Sequence, residues 1–316
     1  MRLSSRPARR IRSGGLVIAA GVTVLVLLGG CAASEAPAAP QTTSAPVTST
    51  PPTVPNDPTP AFAELEQEFD ARLGVYALDP DSRAEVAYRA DERFAYASTF
   101  KALAVGILLK TVPDDQLDQL VTYDASELLP NSPVTEANVD SGMTLRAVAE
   151  AAVRFSDNTA GNIVLEKLGG PEGFTQALRE LGDTTTSSDR IETDLNSAIP
   201  GDTRDTTTPR AFALDLATLL TTDALGAAQQ AQLIDWMTGN ATGAELIAAG
   251  LDAGWSVADK SGAGAYGTRN DIALLWPPSG SPIVLVVMSN RPAEDADYDN
   301  ALIARAAEAA LAGLGY

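Results

Sequence analysis

Three short motifs in a fixed order constrain this 316-residue chain more than any other feature of its sequence. They are Ser98-Thr99-Phe100-Lys101, Ser156-Asp157-Asn158 and Lys260-Ser261-Gly262. Residues three apart on a helix share a face, so a helix that begins near Ser98 would direct Ser98 and Lys101 into one pocket. The apolar run from Ala102 to Leu109 predicts that helix. The fold must therefore bring a serine and a lysine together and position both of the later motifs around them.

The chain contains no histidine, and this limits how a serine could be activated. A Ser-His-Asp triad is excluded, and the usual catalytic zinc sites also require histidine. The base must then be a lysine, a carboxylate or water. Lysine is scarce beside 18 arginines, yet Lys101 and Lys260 both lie in motifs. Because a desolvated lysine can accept a proton and an arginine cannot, we interpret Lys101 as functional rather than as a surface lysine with a buried stem.

The second motif lies between two segments with helical periodicity, residues 145–155 and 159–168. A hydroxyl at Ser156 could relay a proton, and the Asn158 amide could hold a substrate carbonyl or orient Lys101. A helix cap is the competing interpretation, and Asp157 is suited to that role.

The third motif follows a segment with strand alternation, residues 255–260, and we expect a glycine-rich bend over Gly262-Ala263-Gly264. Further strands are predicted over residues 73–78, 84–89, 271–276 and 282–289, with a closing helix over 301–314. The pattern indicates an α/β protein with a long helical middle.

Taken together, these motifs resemble those of the class A serine β-lactamases, and the resemblance extends from Arg72 to the C-terminus. The stretch Asp189-Arg190-Ile191-Glu192-Thr193-Asp194-Leu195-Asn196 is similar to the Ω-shaped loop of that family, which penicillin-binding transpeptidases lack. The resemblance implies the two-domain fold shared by serine β-lactamases and DD-peptidases, with an antiparallel sheet flanked by helices and an inserted all-α domain. In this chain the α/β part would comprise about 61–93 and 225–316, and the helical part about 94–224.

The resemblance also implies roles for individual residues. Ser98 would attack the lactam carbonyl, Ser156 would pass a proton to the ring nitrogen, and Glu192 would activate the hydrolytic water. Either Lys101 or Glu192 would be the acylation base, which the sequence leaves open. The substrate-binding residues would be Asn158, Asn196, Lys260, Ser261, Gly262, Ala263 and Arg269, with the Ser98 and Ala263 N–H groups forming an oxyanion hole.

Four further positions refine this hypothesis. Arg190 and Asp205 are candidates for an ion pair that fixes the loop. Arg269 is similar to an additional carboxylate-binding arginine of some members, although a surface arginine is the alternative. Asn131 departs from the family, because many members have an aromatic residue at this rim of the pocket.

Two other functions use the same nucleophile. They are a D-Ala-D-Ala carboxypeptidase and a β-lactam-binding sensor lipoprotein that acylates without turnover. The presence of Glu192 and Asn196 argues against both. No cofactor and no metal are expected.

The N-terminal region has the features of an export signal. Five arginines (2, 6, 9, 10 and 12) precede an apolar stretch over 14–30, which is shorter than the about 20 residues that span a bilayer. The stretch ends in Leu28-Gly29-Gly30-Cys31, which resembles a lipoprotein box and contains the single cysteine. We predict a signal peptide over 1–30 and a lipid on Cys31, an uncleaved anchor being the alternative. A tether rich in Pro, Thr and Ala would span 31–60, and the catalytic region would span 61–316.

Composition limits the partners. The formal net charge is −19, which disfavours nucleic acid as a partner. The N-terminal signal and the resemblance together imply an exported protein on the outer side of the cell membrane, a small β-lactam as its substrate and a monomeric state.

Overall fold

Strands from both ends of the described chain form the main sheet. The computed structural model describes residues 57–316. The strands are β1 Arg72–Leu78, β2 Glu85–Tyr88, β3 Phe94–Ala95, β4 Leu120–Val121, β5 Met143–Thr144, β6 Thr206–Thr207, β7 Ser256–Gly264, β8 Thr268–Trp276 and β9 Ile283–Asn290. The α-helices are α1 Thr59–Phe69, α2 Phe100–Thr111, α3 Asp114–Leu117, α4 Pro133–Ala137, α5 Leu145–Arg154, α6 Asn158–Lys167, α7 Gly170–Leu181, α8 Pro209–Thr221, α9 Ala227–Thr238 and α10 Asn300–Leu314.

The main sheet has five strands in the order β2-β1-β9-β8-β7, and every neighbouring pair is antiparallel. The pairing of β1 with β9 places Leu73 opposite Ser289 and so joins the two ends of the described chain. The shorter strands form two ribbons, β3 with β6 and β4 with β5. The strands predicted from the sequence are confirmed, with shifts of a few residues at their ends.

Strand β9 shows how the sheet is covered. Residues 283–288 are all apolar because both faces of the strand are buried, so successive side chains enter opposite cores. Ile283, Leu285 and Val287 pack in a cluster with residues of α1 and α10. Val284, Val286 and Met288 pack in the second cluster, with residues of α2 and α8. The sheet is thus flanked by helices on both sides, as the resemblance implies.

Helix α2 is the central element of the helical part. Every residue from Phe100 to Leu109 is buried, which explains why this helix has no polar face. A Cβ on Gly106 would lie 2.8 Å from Leu219 Cδ1, so the glycine lets α8 approach closely. The helix ends before Pro113, and the preceding residue, Val112, is extended as the position before a proline favours.

The predicted glycine bend over Gly262-Ala263-Gly264 is wrong. These residues continue β7, and the chain turns over 265–267, where Tyr266 and Gly267 have positive φ values of 55° and 57°. The glycines serve close packing: a Cβ on Gly262 would lie 3.0 Å from the Tyr96 carbonyl oxygen, and one on Gly264 would lie 2.8 Å from that of Asn196. Close approach of backbone to a strand favours glycine as strongly as a turn does.

A buried pair of carboxyl groups lies apart from the motifs. Asp215, on α8, is only 2% exposed, and its carboxyl is within hydrogen-bond reach of Asp183, which follows α7. Asp183 accepts the N–H groups of Thr185 and Thr186 at 2.6 and 3.1 Å. Burial, followed by the charge of Asp183, raises the pKa of Asp215 to about 9. Asp215 is therefore a neutral acid at pH 7.

Candidate active site

Ser98 lies in a short 3₁₀ turn, Ala97–Thr99, immediately before helix α2. The turn gives way to the helix at Phe100, so Lys101 is in its first turn and faces back toward Ser98. The Lys101 Nζ donates to Ser98 Oγ at 2.9 Å. Ser98 remains 8% exposed, so its hydroxyl is accessible from a cavity. The predicted pairing of Ser98 and Lys101 is confirmed.

Lys101 is fully enclosed by polar acceptors. Its Nζ lies 2.7 Å from Asn158 Oδ1, 2.9 Å from the Ser156 carbonyl oxygen and 2.8 Å from Glu192 Oε1. Burial lowers the pKa of Lys101, although the nearby Glu192 carboxylate opposes that shift. A Cβ on Gly161 would lie 2.6 Å from Lys101 Cε, so the glycine makes room for the lysine beside α6.

The Ser156-Asp157-Asn158 motif forms the turn between α5 and α6. Ser156 has a positive φ of 54°, and Asp157 caps α6 by accepting the Ala160 N–H at 2.9 Å. The predicted cap is therefore confirmed for Asp157, whereas the functional roles of Ser156 and Asn158 stay a prediction. The cap fixes the turn, and the turn directs Ser156 and Asn158 toward Lys101 and Lys260.

Glu192 reaches the nucleophile directly. Its Oε1 accepts the Ser98 hydroxyl at 3.1 Å, and its Oε2 accepts the Asn196 amide at 2.5 Å. Asn196 Oδ1 is buried and has no hydrogen-bond partner among the described residues. The structure thus brings the two residues of the loop to the same point as Ser98 and Lys101.

Asn162, on α6, is a site residue that the sequence reasoning missed. Its amide brackets the backbone of Glu192, accepting the Glu192 N–H at 2.8 Å and donating to the Glu192 carbonyl oxygen at 2.9 Å. It lies four residues after Asn158 and hence on the same face of the helix. That spacing of two asparagines was the signal available in the sequence.

The loop is fixed at its base by Arg190 and Asp205. The Arg190 Nε lies 2.5 Å from Asp205 Oδ2, and Asp205 is fully buried. Its Oδ1 also accepts the N–H groups of Asp189 and Arg190 at 2.8 and 2.9 Å. These bonds satisfy a buried carboxylate that would otherwise be unfavourable, and they confirm the predicted ion pair.

The third motif forms the opposite wall. Lys260 is fully buried, and its Nζ donates to Ser156 Oγ at 3.1 Å and to the Ser261 carbonyl oxygen at 2.7 Å. Ser261 Oγ donates to Thr242 Oγ1 at 2.8 Å. Burial, followed by the charge of Lys101, lowers the pKa of Lys260 to about 7.

Arg269 lies in the structure as a partly buried residue rather than as a surface arginine. Its Nε donates to Asn300 Oδ1 at 2.8 Å, and its guanidinium carbon lies 4.8 Å from the centre of the Tyr298 ring. Burial lowers its pKa. An arginine nevertheless stays protonated in proteins, and the contacts with Asn300 and Tyr298 hold this one in place. Arg269 thus presents a fixed positive charge to the cavity beside Ser261.

All these elements surround one cavity of about 260 Å³. It is lined by Ser98, Asn131, Phe155, Ser156, Asn158, Asn196, Thr242, Ser261, Gly262, Ala263 and Arg269. A nucleophile, its proton acceptors and a cationic wall suit attack on a carbonyl in an anionic substrate. Within residues 57–316, no group of three or more acidic or other metal-binding side chains is arranged to hold a metal ion.

Comparison with known proteins decides the family. A family model described as the Beta-lactamase enzyme family matches residues 58–314. A crystal structure of a class A β-lactamase from Clostridium kluyveri superposes with a TM-score of 0.80 at 49% identity, covering 82% of this chain and 98% of that one. The chain belongs to the class A β-lactamases.

Curated relatives support the assignment to the class A β-lactamases. A β-lactamase of Bacillus amyloliquefaciens is 56% identical over 250 residues, which are 79% of this chain and 82% of that protein. The β-lactamase FAR-1 of Nocardia farcinica is 50% identical over 306 residues, or 96% of this chain and 97% of that protein. The predicted fold class is therefore shown by the architecture and by similarity.

Proposed function

We propose that this class A β-lactamase opens the ring of β-lactams through an acyl-enzyme on Ser98. The single observation that carries the proposal is the meeting of three groups. Ser98 Oγ lies 2.9 Å from Lys101 Nζ and 3.1 Å from Glu192 Oε1, and the same Glu192 carboxylate is bonded to Asn196. The Glu192 carboxylate is thus positioned to contact both the nucleophile and a water held beside Asn196.

The acylation step follows from this geometry. Ser98 attacks the lactam carbonyl, and either Glu192 or Lys101 accepts its proton, because both are within hydrogen-bond distance. The oxyanion would be bound by the Ser98 and Ala263 N–H groups, beside a glycine whose Cβ would lie 3.1 Å from the Ser98 nitrogen. Ser156, bonded to Lys260, would give a proton to the departing ring nitrogen.

Substrate binding is assigned to the remaining wall of the cavity. Ser261 and Arg269 line the cavity, and the buried Lys260 donates to Ser156 Oγ beside them; together they would bind the carboxylate of the substrate, since they supply two cations and a hydroxyl. The Asn158 amide donates to the Pro130 carbonyl oxygen and accepts from Lys101, so it is held at the cavity rim near the acyl group. Gly262 and Ala263 would form the floor.

Deacylation distinguishes hydrolysis from mere trapping of the acyl group. A water bound between Glu192 and Asn196 could donate to Asn196 Oδ1, which is buried and has no donor among the described residues, and lose its proton to Glu192. A carboxypeptidase and a non-turnover sensor also use a serine acyl-enzyme. The placement of Glu192 and Asn196 beside Ser98 supports β-lactam hydrolysis over both.

The test follows a chromogenic cephalosporin by absorbance while intact mass is recorded. Wild-type chain should show many turnovers with little adduct. Glu192→Ala should lose turnover by at least about 10²-fold, as expected for removal of a general base, and should accumulate an adduct on Ser98. Ser98→Ala is the control and should form no adduct. A stable adduct on the wild type, or rapid turnover by Glu192→Ala, would contradict the proposal.

As a β-lactamase the chain is exported. We propose in addition that residues 1–30 are a signal peptide, that Cys31 is lipidated, and that 31–60 tether the catalytic region, 61–316, to the membrane. The support is the sequence alone, because Cys31 lies outside the described residues. No helix within 57–316 combines the length and apolar character needed to cross a bilayer. Cys31→Ser should move activity from the membrane fraction to the medium; unchanged partitioning would refute the anchor.

A further inference from the structure

An asparagine, Asn131, forms part of the rim of the catalytic cavity. Asn131 lines the cavity, and its φ of 58° is in the left-handed region, which asparagine tolerates better than most residues. Its short amide offers no aromatic face. A substrate with an aryl side chain would therefore need another surface against which to pack.

Phe155 supplies such a surface. It ends helix α5 directly before Ser156 and is 45% exposed, although phenylalanine is usually buried. Six other large apolar side chains within 57–316 are similarly exposed, and none of them lines the catalytic cavity. Phe155 is the one aromatic residue that does so in this part of the chain, and it has no ring partner among the described residues.

Phe155 and Asn131 belong to the same rim. The Asn158 N–H donates to the Asn131 carbonyl oxygen at 3.1 Å, and the Asn158 side chain donates to the Pro130 carbonyl oxygen at 2.9 Å. These bonds join the segment 130–132 to the turn 155–158. The positive φ of Ser156 reverses the chain just after Phe155, so the ring stays at the rim and does not enter the core.

We infer that Phe155 is a specificity-determining residue that binds β-lactams with an aryl group in the acyl side chain. The inference rests on the proposed function and adds a substrate class to it. Its physical basis is the packing of two aromatic rings, which is worth more than the burial of apolar area alone. The Phe155 N–H donates to the Ala151 carbonyl oxygen at 3.1 Å, so the backbone that carries the ring is ordered before substrate arrives.

The experiment compares benzylpenicillin with 6-aminopenicillanic acid, which has the same nucleus but no acyl group. The readout is kcat/KM for benzylpenicillin divided by kcat/KM for 6-aminopenicillanic acid, because any loss of active enzyme from misfolding cancels in this ratio. Phe155→Ala should reduce the ratio by roughly three- to tenfold. Phe155→Tyr, which keeps the aromatic ring, should retain it. Leu214→Ala is a matched control, since Leu214 is also 45% exposed but lies outside the cavity, and it should leave the ratio unchanged.

The outcomes separate the inference from the function on which it rests. If Phe155→Ala leaves the ratio unchanged, because kcat/KM falls equally for both compounds or for neither, the role of Phe155 is overturned. Failure of the wild-type chain to hydrolyse either compound would instead overturn the proposed function. A reduced ratio in Phe155→Ala together with a retained ratio in Phe155→Tyr would establish an aryl subsite at Phe155.

Discussion

Asp215 should make the stability of this protein fall as pH rises, and Asp215→Asn should remove that dependence. The pKa of the buried carboxyl is raised to about 9 from an ordinary value of 3.8. Between these values the folded protein keeps a proton that the unfolded chain has released. Because the folded state binds more protons, the free energy of unfolding decreases with increasing pH throughout this window.

The size of the effect follows from the same shift. One proton of difference changes the free energy of unfolding by about 1.4 kcal/mol per pH unit. From pH 5 to pH 8 Asp215 should therefore lower the free energy of unfolding by about 4 kcal/mol, which is large beside a total stability of about 5–15 kcal/mol. An asparagine has nearly the same shape and can donate to Asp183, yet it does not titrate.

Urea unfolding at constant ionic strength, at pH 5, 6, 7 and 8, would measure this difference. Asp215→Asn should match the wild type near pH 4 to 5 and become progressively more stable above it. Asp223→Asn, at an exposed position on the surface, is the control and should follow the wild type at every pH. A constant difference between Asp215→Asn and the wild type across this range would refute the reasoning, because it would mean that Asp215 is charged in the folded protein.

Two further predictions concern the active site. Gly161→Ala should lower kcat at least about tenfold, because the new Cβ would lie 2.6 Å from Lys101 Cε and displace its amine. The melting temperature should change little, since alanine favours a helix. Full activity would show that Lys101 can be displaced without effect on catalysis. Lys260, with a pKa of about 7, should make kcat/KM fall as pH rises through about 7, because the ammonium that we propose to bind the substrate carboxylate is lost. Lys260→Arg stays charged and should flatten the profile between pH 7 and 9, whereas an identical fall in this variant would assign the titration to another group.

Much of the fold could be predicted because local patterns agreed with the tertiary structure. The apolar run 283–288 of β9 and the apolar run 102–109 of α2 each indicated an element buried on all sides. The glycines of Gly262-Ala263-Gly264 were misassigned to a bend, since a sequence does not show whether a glycine serves a positive φ or the approach of a neighbouring backbone. The neighbour here, Tyr96, is far away along the chain.

The site residues were predictable to the extent that they lie in motifs. Ser98, Lys101 and Glu192 come together as expected. Asn162 was missed because it holds the backbone of Glu192, and its four-residue spacing from Asn158 shows only a shared helix face and not that contact. Phe155 falls at the end of the predicted helical segment 145–155, and hydrophobicity alone does not distinguish a buried ring from one exposed at a rim.

The position of β7 at the end of the five-strand order has a consequence for recognition. An edge strand has backbone groups that no neighbouring strand satisfies, and most proteins protect such an edge because it invites aggregation. Here the Ser98 turn packs beside Gly262 and shields part of it. The rest opens into a cavity of about 260 Å³, too small for another protein chain but able to admit a compact amide. The unpaired backbone groups of β7, which at most sheet edges promote aggregation, would thereby form hydrogen bonds with a substrate. Because these groups belong to the main chain, substitutions of the surrounding side chains would not remove them.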